Sequence, residues 1–277
     1  MAKNYKINRL RAFFLSLFMF MCSVSIVLLR ADDKLQDQEL TGHDIMQKVY
    51  QRPDGEDRTS TWQMTLVDKK GRQRVREVIF YSKDYGLDTK TLIYFRKPAD
   101  IKGTGFLSYE YDNPQKEDDR WLYLPALKKV RRISGTSNND YFMGTDFTYD
   151  DMGKRPVDED THQLLRKEEK HGHKCWVIES IPKDKDYLYS KKISWIRQDS
   201  LCEARVEYFD RRGSLMKILT VPEQKKQDGF WTAFKMVMDN TQKNHKTILE
   251  ITDVHYNQGI KDSLFRVSTL ERERIIK

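Results

Sequence analysis

The stretch that decides the fold is RWLYLPALKKVRRISGTSNNDYFMGTDFTYDDM, residues 120–152. It begins with an aromatic and apolar segment, 121–124, which is typical of a strand and which Pro125 ends, because proline cannot donate to a strand ladder. Four cations follow, and after a polar turn bulky apolar side chains alternate with aspartates. This combination predicts an apolar cavity with a charged rim. The stretch contains no nucleophile–base pair and no metal-ligand spacing, so it favours binding of an apolar ligand over catalysis.

The rest of the chain has the period of two that half-buried strands show. Trp62, Met64 and Leu66 alternate with polar residues, and DKKG at 68–71 is a hairpin-turn sequence. Strand-like runs at regular spacing with short polar turns predict an all-β antiparallel meander. The further runs are 72–81, 90–96, 105–111, 120–124, 129–134, 161–169, 174–181, 188–197, 201–209, 214–221, 229–239 and 246–257.

One helix is predicted ahead of the strands. Residues 41–44, TGHD, have the form of a capping box, and an apolar face of Ile45, Met46, Val49 and Tyr50 follows and ends before Pro53. The helix at 41–51 either covers an open barrel end permanently or acts as a movable lid, and the pattern fits both.

These stretches resemble the bacterial outer-membrane lipoprotein-sorting proteins, relatives of the periplasmic lipoprotein carrier LolA. The resemblance covers roughly residues 40–275 and is most specific at GFL (105–107), WLYLP (121–125), KVRR (129–132) and MGTDF (143–147). It implies a strongly curved antiparallel sheet, an incomplete barrel covered by one or two short helices, whose concave face takes up acyl chains. A fold of this kind hosts several functions, so the resemblance does not identify the ligand.

Residues 1–31 have the layout of a secretory signal. Lys3, Lys6, Arg9, Arg11 and Arg30 are their only charged side chains, and an apolar run at 13–29 precedes Ala31. We expect cleavage after Ala31, a binding domain at 32–277 and a periplasmic location; the alternative is an uncleaved inner-membrane anchor at 13–29. The net charge of +8 falls to +3 without these five cations, which removes the main argument for nucleic-acid binding.

Export exposes Cys175 and Cys202 to an oxidising compartment. The runs 174–181, 188–197 and 201–209 read as consecutive strands, so the two cysteines are separated by two strand spacings, about 9.5 Å. A disulfide tolerates about 7 Å between Cα atoms, and we therefore favour two buried free thiols over a bridge.

No cofactor or metal is predicted. His171 and His173 flank Gly172 and read as solvated turn residues rather than metal ligands. The acids Asp140, Asp146, Asp150 and Asp151 are expected to pair with the basic run. The basic run, which forms the predicted rim, is either a solvated strand face or a surface for lipid head groups or a membrane partner: Lys128, Lys129, Arg131 and Arg132.

Alternation within the strands selects the candidate lining of the apolar cavity. We expect the helix at 41–51 and the segment at 142–152 to close this cavity. Flexible methionines suit a site that accommodates chains of different length. The predicted ligand-binding residues are Leu107, Tyr109, Trp121, Tyr123, Phe142, Met143, Phe147, Phe230, Phe234, Met236 and Met238.

The sequence therefore predicts a non-enzymatic periplasmic carrier of acyl chains of lipoproteins or free lipids, which takes part in outer-membrane lipoprotein sorting. Its partners would be the lipid cargo, an envelope membrane protein and, transiently, the membrane. The alternative is a lipid-sensing regulatory or adaptor domain, and an envelope hydrolase comes third.

Overall fold

The structure is a computed structural model that describes residues 40–113, 115–134 and 139–271. Helix α1, Gly42–Tyr50, comes first, and a short helix α2, Val267–Leu270, comes last. Between them lie thirteen strands: β1 Asp57–Val67, β2 Gln73–Tyr85, β3 Asp88–Lys97, β4 Gly105–Glu110, β5 Asp119–Leu124, β6 Lys129–Ile133, β7 Asp160–Lys170, β8 His173–Pro182, β9 Tyr189–Arg197, β10 Glu203–Asp210, β11 Leu215–Gln227, β12 Phe230–Asn240 and β13 His245–Tyr256.

The strands form one curved, unclosed antiparallel sheet in the order β6-β5-β4-β3-β2-β1-β13-β12-β11-β10-β9-β8-β7. Two meanders, β1–β6 and β7–β13, are joined in the middle by the pairing of β1 with β13, for example Leu66 with Thr247. The two edge strands, β6 and β7, are therefore consecutive in the chain. The predicted incomplete barrel with short helices is confirmed.

Two apolar clusters lie on opposite faces of the N-terminal half, as the alternation within β3 shows. Ile93 and Phe95 belong to an inner cluster, and Leu92 and Tyr94 belong to an outer one. The inner cluster includes side chains from both meanders, so it fills the concave side of the sheet. The outer cluster is covered by the C-terminal segment through Phe265 and Leu270.

Local sequence signals account for the ends of several elements. Thr41 and Asp44 form the predicted capping box, with the Thr41 hydroxyl accepting from the Asp44 amide at 3.1 Å. Strand β5 ends before Pro125, as predicted. Strand β11 continues to Gln227, beyond the predicted end at 221, because its polar half still pairs with β12, for example Gln227 with Phe230.

Cys175 lies on β8 and Cys202 directly precedes β10, with β9 between the two strands, and both are buried free thiols. Burial raises the pKa of both Cys175 and Cys202, which keeps them protonated. The expectation of two free thiols is confirmed.

Candidate functional site

Residues 139–159, which we call the plug, connect the edge strands across the concave side. Phe142, Phe147 and Tyr149 are buried in the inner cluster. The Phe142 ring meets the edge of Phe106 with centroids 5.2 Å apart and lies 6.1 Å from Phe95. The MGTDF motif at 143–147 therefore belongs to a segment that fills the half-barrel.

Two buried aspartates fasten the plug to the C-terminal meander. Asp146 accepts hydrogen bonds from Thr247 Oγ1 at 2.7 Å and lies 2.6 Å from His245 Nδ1, both on β13. Asp151 lies 2.5 Å from Lys217 Nζ on β11. Both carboxylates have their partners inside the protein, as buried charges require.

The predicted pairing of these acids with the basic run is wrong. Lys128, Lys129 and Arg131 are exposed on the β5–β6 turn and on edge strand β6, and Arg132 pairs with Asp119. The basic run does form an exposed rim, but Asp146 and Asp151 point into the half-barrel, where they contact His245 and Lys217 far along the chain.

Helix α1 crosses the mouth of the half-barrel from one meander to the other. At its N-terminus Gly42 touches β7 so closely that a Cβ would lie 2.7 Å from the carbonyl of His162 and from the amide nitrogen of Leu164. At its C-terminus the Tyr50 hydroxyl donates to Asp112 Oδ1 at 2.8 Å in the β4–β5 connection. Arg52, just beyond the helix, donates to the Trp231 carbonyl oxygen at 3.0 Å.

A cavity of about 310 Å³ lies between α1, the plug and strands β7–β10. Apolar groups contribute part of its wall, but charged and hydroxylated groups are as prominent. The sequence predicted an apolar cavity, and this one is amphipathic. Its lining consists of Met46, Val49, Tyr50, Arg52, Asp54, Asp150, Asp151, Gly153, Lys154, Arg155, Pro156, Val157, Asp160, His162, Ser180, Tyr187, Lys192, Ser194, Glu203 and Tyr208.

The charges on this wall are unevenly matched. Arg155 is clamped between Asp160 at 2.9 Å and Glu159 at 2.6 Å. Lys192 lies 3.6 Å from Asp160, which is beyond hydrogen-bond distance. Burial raises the pKa of Glu203, whose side chain opens into the cavity.

A smaller neighbouring cavity of about 140 Å³ lies behind the end of the plug and is lined in part by Glu110, Asp84 and Lys154. The Glu110 carboxylate accepts from the Lys154 amide at 3.1 Å. Burial raises the pKa of Glu110 to about 7, against the opposing effect of this hydrogen bond. Glu110 therefore holds the plug at its C-terminal end as Asp146 and Asp151 hold its middle.

The structure divides the predicted ligand-binding residues between the two faces of the sheet. Seven lie on the inner side: Phe142, Phe147 and Met238 are buried in the inner cluster, and Met143, Phe230, Phe234 and Met236 pack against it partly buried. Four lie in the outer cluster, so the prediction that they line the same cavity is wrong: Leu107, Tyr109, Trp121 and Tyr123.

Sequence reasoning missed the polar half of the site. Simple alternation along β10 would place Glu203 on the same face as Arg205 and Glu207, but a register shift between Glu203 and Arg205 turns Glu203 toward the cavity, where Tyr208 also lies. No signal in the sequence marks that shift. Tyr187 and Arg155, by contrast, lie next to residues typical of turns. The sequence therefore offered a reason to consider them as candidate site residues.

Two further findings concern the described residues alone. No group of three or more His, Cys, Asp or Glu side chains among them is arranged to hold a metal ion. No helix within 40–113, 115–134 or 139–271 is long and apolar enough to cross a membrane.

Comparisons with known proteins agree with this architecture. A family profile described as "uncharacterized protein" matches residues 87–272. The comparison with curated proteins finds no match. A LolA superfamily protein from Nitrosomonas europaea is 16% identical with a TM-score of 0.65, covering 83% of this chain and 99% of that one, and it shares the fold.

Two solved structures are closer in sequence. A DUF1329 family protein from Desulfovibrio piger is 33% identical over 83% of this chain and 97% of that one, with a TM-score of 0.79. An outer membrane lipoprotein-sorting protein domain from Vibrio parahaemolyticus is also 33% identical, over 83% and 98%, with a TM-score of 0.79. With a curved, unclosed sheet plugged by its own MGTDF segment and this similarity over nearly the whole length of both relatives, the chain belongs to the outer membrane lipoprotein-sorting protein family and has a LolA-like fold.

Proposed function

We propose that this protein is a periplasmic carrier that holds an acyl chain, of a lipoprotein or of a lipid, on the concave side of its half-barrel. The relative named for lipoprotein sorting supports the class of function. The concave side supplies the apolar surface: Phe230, Phe234 and Met236 are only partly buried against the inner cluster, so part of their surface remains for a ligand.

One observation carries the proposal. In the described part of the chain, neither α1 nor the plug forms a strand ladder with the sheet, and both are held by side-chain contacts such as Tyr50–Asp112 and Lys217–Asp151. Either cover can therefore leave without breaking any strand pairing. The concave surface can open while the sheet stays intact.

Loading an acyl chain can recover more free energy than displacing α1 costs. The cavity beneath α1 holds about 310 Å³, at the small end of the range for ligand pockets, so we expect that a long acyl chain requires at least one cover to move. Burying a chain of about 16 carbons recovers on the order of 10 kcal/mol before ordering costs. Helix α1 is held by single hydrogen bonds such as Tyr50–Asp112 and Arg52–Trp231, each worth about 0.5–1.5 kcal/mol, so lipid can displace α1 more easily than the plug, whose aromatic side chains belong to the inner cluster. Release then needs a membrane-protein partner or the return of α1.

The exposed basic run is the proposed contact surface for that partner or for lipid head groups. Lys128 in the β5–β6 turn and Lys129 and Arg131 on edge strand β6 are exposed, so an acidic surface can reach their charges. Reversing all three to glutamate should slow delivery to acceptors without changing the affinity for a soluble lipid.

The proposed route to the periplasm rests on residues 1–31, which lie outside the described residues, with the binding domain at 32–277. Edman sequencing of protein from the cell envelope should begin near Asp32. An intact Met1 in that fraction would favour the uncleaved anchor.

Transfer of a bound lipid tests the function itself. Protein loaded with a fluorescent fatty acid is mixed with acceptor vesicles, and the probe should pass to the vesicles in a protein-dependent way. Retention of the probe together with tight binding would favour the lipid-sensing alternative. Native mass spectrometry of protein purified from its own envelope should show an acyl species, and protein that takes up no lipid at all would contradict both.

A further inference from the structure

The carboxyl group of Glu203 is short of partners. It lies on the wall of the cavity beneath α1, and in the part of the chain that the structure describes its side chain makes one hydrogen bond, from Ser194 Oγ at 3.5 Å. No cation there comes within 4.0 Å of it. A carboxylate in such surroundings is costly unless another group neutralises it.

Two cations on the same wall also have unused capacity. Arg52 Nη1 donates to the Trp231 carbonyl oxygen, and no carboxylate among the described residues forms an ion pair with this guanidinium. Lys192 has its nearest acid, Asp160, at 3.6 Å, and Asp160 is already paired with Arg155 at 2.9 Å. The cavity therefore presents one incompletely satisfied acid and two incompletely satisfied bases to the same small volume.

We propose that this cavity binds a zwitterionic lipid head group of the phosphoethanolamine type, with Glu203 accepting from the primary ammonium and Lys192 and Arg52 contacting the phosphate. The inference rests on the proposed function and names the class of lipid. A group that carries both charges satisfies both halves of the wall, and its acyl part can continue along Met46 and Val49 of α1, which line the same cavity.

The same geometry predicts which head groups are rejected. A trimethylammonium group carries the same charge but has no N–H to donate to Glu203. A glycerol head group provides hydroxyl donors but no positive charge. Its hydrogen bond to Glu203 would therefore have a charged acceptor and a neutral donor, and would be weaker than the bond from an ammonium group. Burial also raises the pKa of Glu203, which a bound ammonium would reverse.

Titration calorimetry of the purified protein with three short-chain lipids tests this: dihexanoyl phosphatidylethanolamine, phosphatidylcholine and phosphatidylglycerol. We expect the ethanolamine lipid to bind about tenfold or more tightly than the other two. Glu203→Gln should remove this preference. Glu207→Gln, on the same strand but paired with Arg205 at 2.8 Å outside the cavity, should keep it.

A second variant protects the test if Glu203→Gln proves unstable. Lys192→Met should weaken the binding of all three phospholipids by a similar factor and preserve the order of their affinities, because it removes a contact to the phosphate that all three share. Equal affinity of the native protein for the three lipids, or a preference that survives Glu203→Gln, would overturn the head-group assignment and leave the carrier proposal standing. Failure of all three to bind would also overturn the head-group assignment, and fluorescent fatty-acid binding by the same protein would then decide the carrier proposal separately.

Discussion

Lys217 Nζ lies 2.5 Å from Asp151 Oδ2, and the two side chains are 0% and 5% exposed. The pair joins β11 to the plug, and Asp151 also accepts from the Tyr189 hydroxyl at 3.0 Å. The rings of Tyr189 and Tyr208 each lie 5.0 Å from the Lys217 ammonium. A charge pair with this many partners makes the position of the plug specific.

Breaking that pair should destabilise the protein strongly. Lys217→Met leaves the Asp151 carboxylate buried without its cation, and we expect a loss of about 3–5 kcal/mol in the free energy of unfolding, measured by urea denaturation. Lys235→Met is the matched control, because its pair with Glu250 is more than a third exposed and should contribute less than about 1 kcal/mol. Equal losses for the two variants would contradict a special role for the buried pair.

Strand β12 offers a direct separation of core from ligand surface. Met238 is 0% exposed, so Met238→Glu buries a charge and should unfold the protein or cost about 4 kcal/mol or more. Phe234 is partly buried with the Lys225 ammonium 4.1 Å from its ring, so a glutamate there finds water and a cation. Phe234→Glu should keep the melting temperature close to native and abolish fluorescent fatty-acid binding; binding that survives would place the acyl site elsewhere.

Gly42→Ala tests whether α1 is a closely docked cover. Alanine in place of glycine normally stabilises a helix by about 1 kcal/mol. Here the added Cβ would meet the backbone of β7 at 2.7 Å, so we expect α1 to be displaced, with faster hydrogen exchange of its amides and faster lipid uptake. Lys48→Ala, exposed on the same helix, should change neither. A rise in stability for Gly42→Ala would show that α1 is loosely attached.

Glu110 should make stability depend on pH. Its pKa is raised from 4.5 to about 7 in the folded protein, so between these values the folded state binds more protons than the unfolded state. Stability therefore falls as pH rises from about 4.5 to 7, by up to about 3 kcal/mol. Glu110→Gln should flatten this part of the profile and stabilise the protein at pH 8, measured by urea denaturation from pH 4 to 8. An unchanged profile would assign the dependence to other buried acids.

The strands were predictable because apolar residues on a half-covered strand alternate, as Trp62, Met64 and Leu66 do. Which residues of β3–β5 lie on the inner face could not be predicted in this way. Leu92, Ile93, Tyr94 and Phe95 are all buried, because the plug covers one face and the C-terminal segment the other. Where both faces of a strand are covered, alternation no longer shows which face is the inner one. For that reason Leu107 was predicted to line the cavity in place of its neighbour Phe106, which is the residue on the inner face.

The polar and charged contacts of the site could not be predicted from the sequence for a different reason. Asp151 and Lys217 are 66 residues apart in the chain, and Asp146 and Thr247 are 101 apart, so no local pattern joins them. The nearby basic run was the natural partner on the sequence alone. Pairing across a curved sheet is decided by strand order, which composition does not encode.

The pairing of β1 with β13 also governs how the sheet assembles. Every other ladder joins strands that are neighbours in the sequence, but Arg58 pairs with Tyr256 at the far end of the described chain. During synthesis from the N-terminus, one long edge of β1 therefore stays unpaired until nearly the whole chain has been made. An unpaired strand edge of this kind can associate with other chains. The two meanders can each form from local contacts, so we expect the slow step in folding to be their closure at the centre of the sheet.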